Sequence, residues 1–311
     1  EMKGKLPLIT IMGPTGVGKT NLVIALSSLL PSDIISVDSV QVYKKMDIGS
    51  GKPSESTLRK FPHKLVNIID PWETYSTAIF CADSTEEINK SHKLERIPLL
   101  VGGTMLYFKS LLRGISKMPK SNSLIRKKIT DEAKLKGWPS LHKHLAALDP
   151  ESASRIHPND AQRIQRALEV YEISHKTMSL LKKENKAEEI LSKYKVFQFA
   201  IKPESKEQLR ENVQERFLKM LDDGLVKEVE RLLSYREMDN EKVSMKAIGY
   251  RQVVEYLEGK INYEELIYKA VNATRQLAKR QMTWLRSWRR LIWIPYELES
   301  SLKIIKSRTK I

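Results

Sequence analysis

The 311-residue chain contains a single cysteine, Cys81. An intrachain disulfide needs two thiols and a cysteine-rich zinc site needs more, so neither can form. Long apolar runs are missing too: no stretch approaches the ~18 residues of a membrane-spanning helix. The first residues lack a signal-peptide pattern. Met2 is the expected start, with Glu1 a remnant ahead of it, and a cytoplasmic location is expected. Acidic residues are scarce beside basic ones, 38 against 54, for a formal charge of +16. A metabolite enzyme has no need of that excess, whereas a protein that binds a polyanion draws affinity from it. No internal repeat or low-complexity segment is present, and the length suits about two domains.

What the chain does have is Gly13-Pro14-Thr15-Gly16-Val17-Gly18-Lys19-Thr20, directly after an apolar run, residues 8–12, that reads as a buried strand. The spacing G-x-x-x-x-G-K-T lets the glycines at 13, 16 and 18 turn successive N–H groups inward, at the positive end of the helix that follows. Lys19 would reach the outer phosphates of a ligand and Thr20 would ligate Mg²⁺. Residues 21–30 carry Leu22, Ala25, Leu26 and Leu29 on one helical face. The motif specifies a diphosphate or triphosphate and leaves the chemistry open.

Other strand ends narrow it. The β-branched run 33–37 closes on Asp38, at the same sheet edge as the phosphate loop, because functional groups in parallel sheets collect where strands end. Asp38 reads either as a metal-binding aspartate or as a general base beside the phosphates, and the base is preferred because Ser36 interrupts the apolar run. Residues 44–53 form a glycine-containing loop on the same crevice, and 65–70 is a further short strand. A helix over 75–90 precedes the strand 97–101, which ends in Gly102-Gly103-Thr104. Two glycines where a nucleotide hydrolase often keeps a metal-binding aspartate weaken the hydrolase reading and permit close approach of a substrate. The fold class is therefore α/β, a P-loop parallel-sheet core.

Residues 116–193 read as a helical insertion into that core, which spans 1–115 and 194–311 with helices at its C-terminal end. Within the insertion, His157-Pro158-Asn159-Asp160 caps a helix whose buried face is Ile164, Ala167, Leu168 and Tyr171. A returning strand covers 195–201. Pro203 opens a long helix bearing Leu209, Val213, Phe217 and Leu221, and another helix starts at 246–252. Residues 274–290 hold six basic side chains and no acid. Leu277, Gln281, Trp284 and Trp288 share one stripe, with Arg275, Lys279, Met282 and Arg286 on another. The tryptophans are assigned to the core and the arginines to phosphates, a density that suits an RNA backbone.

These motifs together resemble the tRNA dimethylallyltransferase, or tRNA isopentenyltransferase, family in its bacterial form. The matching pieces run in order over nearly the whole chain: the phosphate loop, Asp38-Ser39-Val40-Gln41-Val42-Tyr43, Met46-Asp47-Ile48-Gly49, Gly102-Gly103-Thr104, His157 to Asp160 with Gln162-Arg163 and Arg166-Ala167-Leu168-Glu169, Gly249-Tyr250-Arg251-Gln252, and Arg275 to Arg286. The resemblance implies that dimethylallyl diphosphate occupies the cradle formed by Gly13, Pro14, Thr15, Gly16, Val17, Gly18, Lys19 and Thr20, with Mg²⁺ on Thr20. The acceptor would be the exocyclic amine of the adenine 3′ of a tRNA anticodon. It implies Lys19, Thr20, Asp38 and Thr104 as catalytic, Asp38 taking the amine proton. Arg216 would add charge to the diphosphate. The tRNA anticodon stem-loop would meet Asp38, Ser39, Val40, Gln41, Thr104 and Arg126. It would also meet Gln162, Arg163, Ile164, Gln165, Arg166, Lys246, Ala247, Ile248, Gly249, Tyr250 and Arg251, and then Lys279, Arg280, Gln281, Met282, Thr283, Trp284, Leu285 and Arg286. A monomer is expected, with hinges near 116–123 and 182–194. Ser50-Gly51 and Gly16-Val17 depart from the usual Thr-Ala and Ala-Ser without removing a side chain assigned to chemistry. The competing readings are prenylation of a free adenine nucleotide, a P-loop kinase or RNA-dependent ATPase, and a pure RNA-binding module.

Overall fold

A computed structural model describes residues 5–185 and 189–311. Met2, the expected start, and residues 186–188 of the expected second hinge lie outside them. The chain forms two compact units, Glu1–Leu112 with Ile190–Ile311, and Arg113–Glu189. The observed edges thus fall a few residues ahead of 116 and 193.

In the first unit, β1 (Pro7–Met12) feeds the phosphate loop and α1 (Lys19–Leu29). Then come β2 (Ser32–Val37), α2 (Glu55–Lys60), β3 (His63–Lys64), α3 (Thr77–Lys93), β4 (Ile97–Gly102) and α4 (Met105–Arg113). The helices of the second unit are α5 (Ser123–Lys136), α6 (Trp138–Leu148), α7 (Pro150–Ala153), α8 (Ala161–Ser174) and α9 (Met178–Glu184). The first unit resumes with α10 (Ile190–Lys193), β5 (Lys195–Ile201), α11 (Lys206–Asp222) and α12 (Leu225–Leu233). A 3₁₀ turn at Val243–Lys246 leads to α13 (Tyr250–Leu257), α14 (Tyr263–Arg286), β6 (Ile292–Ile294) and α15 (Leu298–Thr309).

The strands make one parallel sheet in the order β3-β2-β4-β1-β5-β6. Parallel strands covered on both faces read as apolar runs. Ile9, Ile11, Ile34, Leu99, Val101 and Phe199 accordingly pack with Leu22, Val23 and Leu26 of α1 and Ile305 of α15. Register places Met12 beside Gly102, and Gly102 beside Val37. The phosphate loop, Asp38 and Gly103-Thr104 therefore leave the sheet side by side.

Four expectations are corrected here. Leu29 is exposed, because the buried face of α1 is set by Leu22, Val23 and Leu26, and the chain turns away at its last residue. The strand expected at 65–70 is only His63–Lys64, since Leu65 and Asn67 take positive φ and bend the chain away. Residues 67–69 hydrogen-bond instead to Gln41 and Val42. The helix expected from Pro203 begins after the cap Ser205, whose hydroxyl accepts the Gln208 N–H. The helix expected from Lys246 begins at Tyr250, after Gly249 at φ 91°.

The second unit closes its own core around Ile129, Ala133, Leu141, Leu145, Ile164, Ala167 and Leu168. Asp160 caps α8 as expected, accepting the Arg163 N–H. Tyr171 is only half-buried, and Val170 takes the inner position.

Candidate active site

A cavity of about 650 Å³ opens at the C-terminal ends of β1, β2 and β4. Thr15, Gly16, Gly18, Lys19 and Thr20 line it on one side, Asp38 to Gln41 and Gly102 to Thr104 on another, and Arg216 on a third. Gly16 and Gly18 take φ of 81° and 93°, where a side chain would be strained. Gly13 does not, contrary to expectation. Lys19 Nζ donates to the carbonyls of Gly13 and Pro14, at 2.9 and 2.8 Å, so the loop wraps its own lysine. Desolvation, helped by the nearby Arg216 charge and opposed by Asp38, lowers the Lys19 pKa to about 7. Arg216 Nη1 donates to Thr15 Oγ1 at 3.3 Å and has no carboxylate partner among the described residues. The Thr20 hydroxyl is exposed on the cavity.

Asp38 stands just past β2. Its Oδ1 accepts the N–H groups of Val40 and Gln41, at 2.7 and 3.0 Å, which closes a turn. Among the described residues Oδ2 has no hydrogen-bond partner. Thr104 Oγ1 accepts the Ser39 N–H at 3.2 Å, tying the end of β4 to the Asp38 turn. Gln41 donates to the carbonyls of Ser50 and Gly51 and accepts from Ser36. Gln41 nonetheless lines the cavity beside Asp38.

Sequence reasoning missed what holds residues 47–51 under Gln41. Glu228 of α12, 2% exposed, accepts the N–H groups of Asp47, Ile48 and Gly49 and the hydroxyl of Tyr250. One buried carboxylate thus fixes the loop, and four donors offset its desolvation. Burial raises the Tyr250 pKa and the adjacent Glu228 charge adds to it. Only a partner-seeking acid on the apolar stripe Leu225, Val229, Leu232 hinted at this. Missed as well were His63, which reaches the cavity from β3, and the apolar wall of Met105, Leu106, Val213, Phe217 and Met220.

Helix α14 forms the remaining wall with Thr274, Leu277, Arg280, Gln281 and Trp284. Trp284 is half-buried at the cavity, with the Lys109 ammonium 5.4 Å over its ring, so it is not a core residue as expected. Trp288 is also half-buried, donating to Gln198. Gln281 is 6% exposed: its Oε1 accepts the Thr15 N–H and its Nε2 donates to the Gly103 carbonyl. Lys279, Arg280 and Arg286 are exposed and form no ion pair among the described residues. Thr283 bonds back to the Lys279 carbonyl, and Met282 is half-buried.

Several residues assigned to RNA have no side chain to offer it. Ile164, Tyr250 and Leu285 are at most 1% exposed and serve packing. Gly249 is buried, Ala247 and Ile248 belong to the cavity wall, Lys246 pairs with Glu241, and Arg251 is exposed. In the second unit Arg126 and Arg166 both bind the fully buried Glu169 carboxylate, which also accepts the Asn122 N–H. Burial alone would push that carboxyl up, but these hydrogen bonds hold it below the usual range. Gln165 donates to Arg126 and Thr130. Exposed Gln162 and Arg163, the latter paired with Asp160, remain on the surface of α8.

A phosphate loop beside a strand end that carries two glycines and a threonine, with the Asp38 carboxylate on the same cavity, suits group transfer from a phosphorylated donor and not nucleotide hydrolysis. Comparison with known proteins agrees. A profile of the IPP transferase family matches residues 41–288. The full-length tRNA isopentenylpyrophosphate transferase of Bacillus halodurans is 30% identical over 98% of this chain and 96% of its own, with a TM-score of 0.71. The tRNA delta(2)-isopentenylpyrophosphate transferase of Staphylococcus epidermidis is 32% identical over 98% and 99%, TM-score 0.70. A eukaryotic dimethylallyltransferase acting on tRNA is 27% identical over 98% of this chain and 78% of that one, TM-score 0.80. The chain belongs to the IPP transferase family and is an enzyme, a prenyl-group transferase.

Proposed function

We propose that the protein transfers a dimethylallyl group from dimethylallyl diphosphate to the exocyclic amine of the adenine 3′ of a tRNA anticodon, releasing diphosphate, and that it does so as a cytoplasmic monomer. The observation that carries this reading is the meeting of Lys19, Arg216 and the free Oδ2 edge of Asp38 on one cavity. That cavity has an apolar wall on one side and Arg280 of α14 on another.

An adenine amine is a poor nucleophile because its lone pair is delocalised into the ring. A carboxylate that takes its proton as the carbon–nitrogen bond forms offsets that by roughly 10²–10⁴-fold. Asp38 is that carboxylate, its Oδ1 held by two backbone N–H groups so that Oδ2 addresses the amine. The allylic carbon leaves as a delocalised cation, and the harder task is stabilising negative charge on the departing diphosphate. Lys19, Arg216 and the loop amides do this, while Val213, Phe217 and Met220 shelter the five-carbon group from water. The Thr20 hydroxyl and the diphosphate oxygens are the donor set that Mg²⁺ favours, and the ion would neutralise leaving-group charge. Extruding the adenine from its loop costs a few kcal/mol, offset by phosphate contacts at Lys279, Arg280 and Arg286, with Gln162 and Arg163 as further candidates.

The test is transfer of radiolabelled dimethylallyl from its diphosphate to an anticodon stem-loop carrying adenine 3′ of the anticodon. Label on that RNA, cut by about 10²–10⁴-fold in Asp38→Ala, is expected. Label on free adenine nucleotide and not on RNA would overturn the acceptor, and no label with ATP consumption would overturn the chemistry.

A further inference from the structure

We propose that Gln281 couples the two substrate sites: RNA bound along α14 acts through its amide to tighten the phosphate loop on the diphosphate, and the reverse. This rests on the reading above of the cavity as donor site and α14 as an RNA-binding helix.

Both ends of the Gln281 amide are committed, to the Thr15 N–H at 3.0 Å and to the Gly103 carbonyl at 2.8 Å. Thr15 lies inside the phosphate loop, and its hydroxyl accepts from Arg216, the second cation of the diphosphate site. Gly103 precedes Thr104, whose hydroxyl holds the Asp38 turn. One side chain therefore spans the donor half and the acceptor half of the cavity. The approach is close: a Cβ on Gly103 would stand 2.5 Å from Gln281 Nε2 and 3.0 Å from the Gly13 carbonyl.

Among the described residues no other side chain of α14 hydrogen-bonds to either loop. The neighbouring Arg280 and, one turn on, Trp284 face the same cavity, and Lys279, Arg280 and Arg286 hold unpaired charge. A hydrogen bond weakens steeply once donor and acceptor separate beyond about 3.5 Å. A displacement of α14 of about 1 Å under RNA must therefore carry Thr15 and Gly103 with it or break both bonds. Coupling between sites is a single free energy, so each ligand must change the affinity of the other by the same factor.

The experiment measures the Kd of inorganic diphosphate with and without saturating anticodon stem-loop RNA, and of the RNA with and without diphosphate. In the wild type each ligand should tighten the other by one common factor, in the range of about 5–150-fold. Gln281→Met, which keeps the length of the side chain and loses both hydrogen bonds, should bring that factor to about one while each ligand alone binds within about tenfold of wild type. Gln281→Leu, which likewise lacks both hydrogen-bonding groups, should do the same, and melting curves verify that both variants fold. A purely structural residue would weaken each ligand without changing the ratio. Coupling that persists in both variants, or wild type that binds both ligands without coupling, overturns the inference. Wild type that fails to bind one of them overturns the underlying reading of the site as well.

Discussion

At the scale of single residues the cavity is governed by charge held out of water. Lys19 has a pKa of about 7 because it is desolvated beside Arg216, with Asp38 too weak a counterweight. Lys19 therefore gives up its proton more readily above pH 7 than a free lysine does, and an anion beside it favours the charged form. Diphosphate binding at pH 8 should take up close to one proton more in the wild type than in Lys19→Arg, whose side chain stays charged throughout. Calorimetric titrations in two buffers of different ionisation enthalpy measure the difference. Affinity should fall as pH rises from 7 to 9 in the wild type and less so in the variant, and equal proton uptake would mean that Lys19 is already charged when the site is empty. Asp38 works by geometry instead: its turn spends one oxygen on backbone and leaves the other for chemistry.

At the scale of elements, what matters is how helices and loops are pinned at the sheet edge. Loop 47–51 has one backbone turn bond of its own, from the Gly51 N–H to the Ile48 carbonyl, and Glu228 of α12 accepts the N–H groups of Asp47, Ile48 and Gly49. Ser50 and Gly51 then hold Gln41, which follows the Asp38 turn. Glu228→Gln swaps one acceptor oxygen for a donor facing backbone donors, and should cost about 1–3 kcal/mol of stability, read by thermal melting. Because the loop relays to Gln41, kcat should fall roughly tenfold or more while diphosphate affinity, set by the phosphate loop, changes little. A variant that loses affinity in step with kcat would place the effect elsewhere. In the second unit Glu169 plays the comparable part, and two arginines assigned from sequence to RNA are bound to it.

At the scale of the whole molecule the excess of positive charge shapes association. Many surface cations are neutralised by nearby acids, as in the pairs Lys90–Glu86, Lys136–Glu132 and Lys219–Asp223. Among the described residues Lys279, Arg280 and Arg286 of α14 have no such acid, although Lys269 of the same helix pairs with Glu255. RNA affinity should therefore fall linearly with the logarithm of salt concentration. Replacing Lys279, Arg280 and Arg286 together by alanine should flatten that slope by about 0.7–0.9 for each phosphate no longer neutralised. Filter-binding titrations across a salt series provide the slope, and an unchanged slope would move the RNA to another face.

The sequence by itself determined the local parts. A phosphate loop needs its glycines, lysine and threonine at fixed spacing, and apolar runs of strand length between helical periods make an α/β sheet, so both are written in consecutive residues. The aspartate at the end of β2 and the acid-free basic stretch near the C-terminus are local in the same sense. What only the tertiary structure decided is which polar side chains remain available. Gln281 and Tyr250 stand in motifs that look like RNA-binding surface, yet one is spent on two loops and the other on Glu228. Arg126 and Arg166 resemble phosphate ligands when read along the chain, and Glu169 claims them. Tyr250 finds its partner 22 positions away, and Gln281 reaches one 266 positions away. A buried amide or carboxylate must find donors and acceptors wherever the fold brings them, and no periodicity in the sequence records where that is.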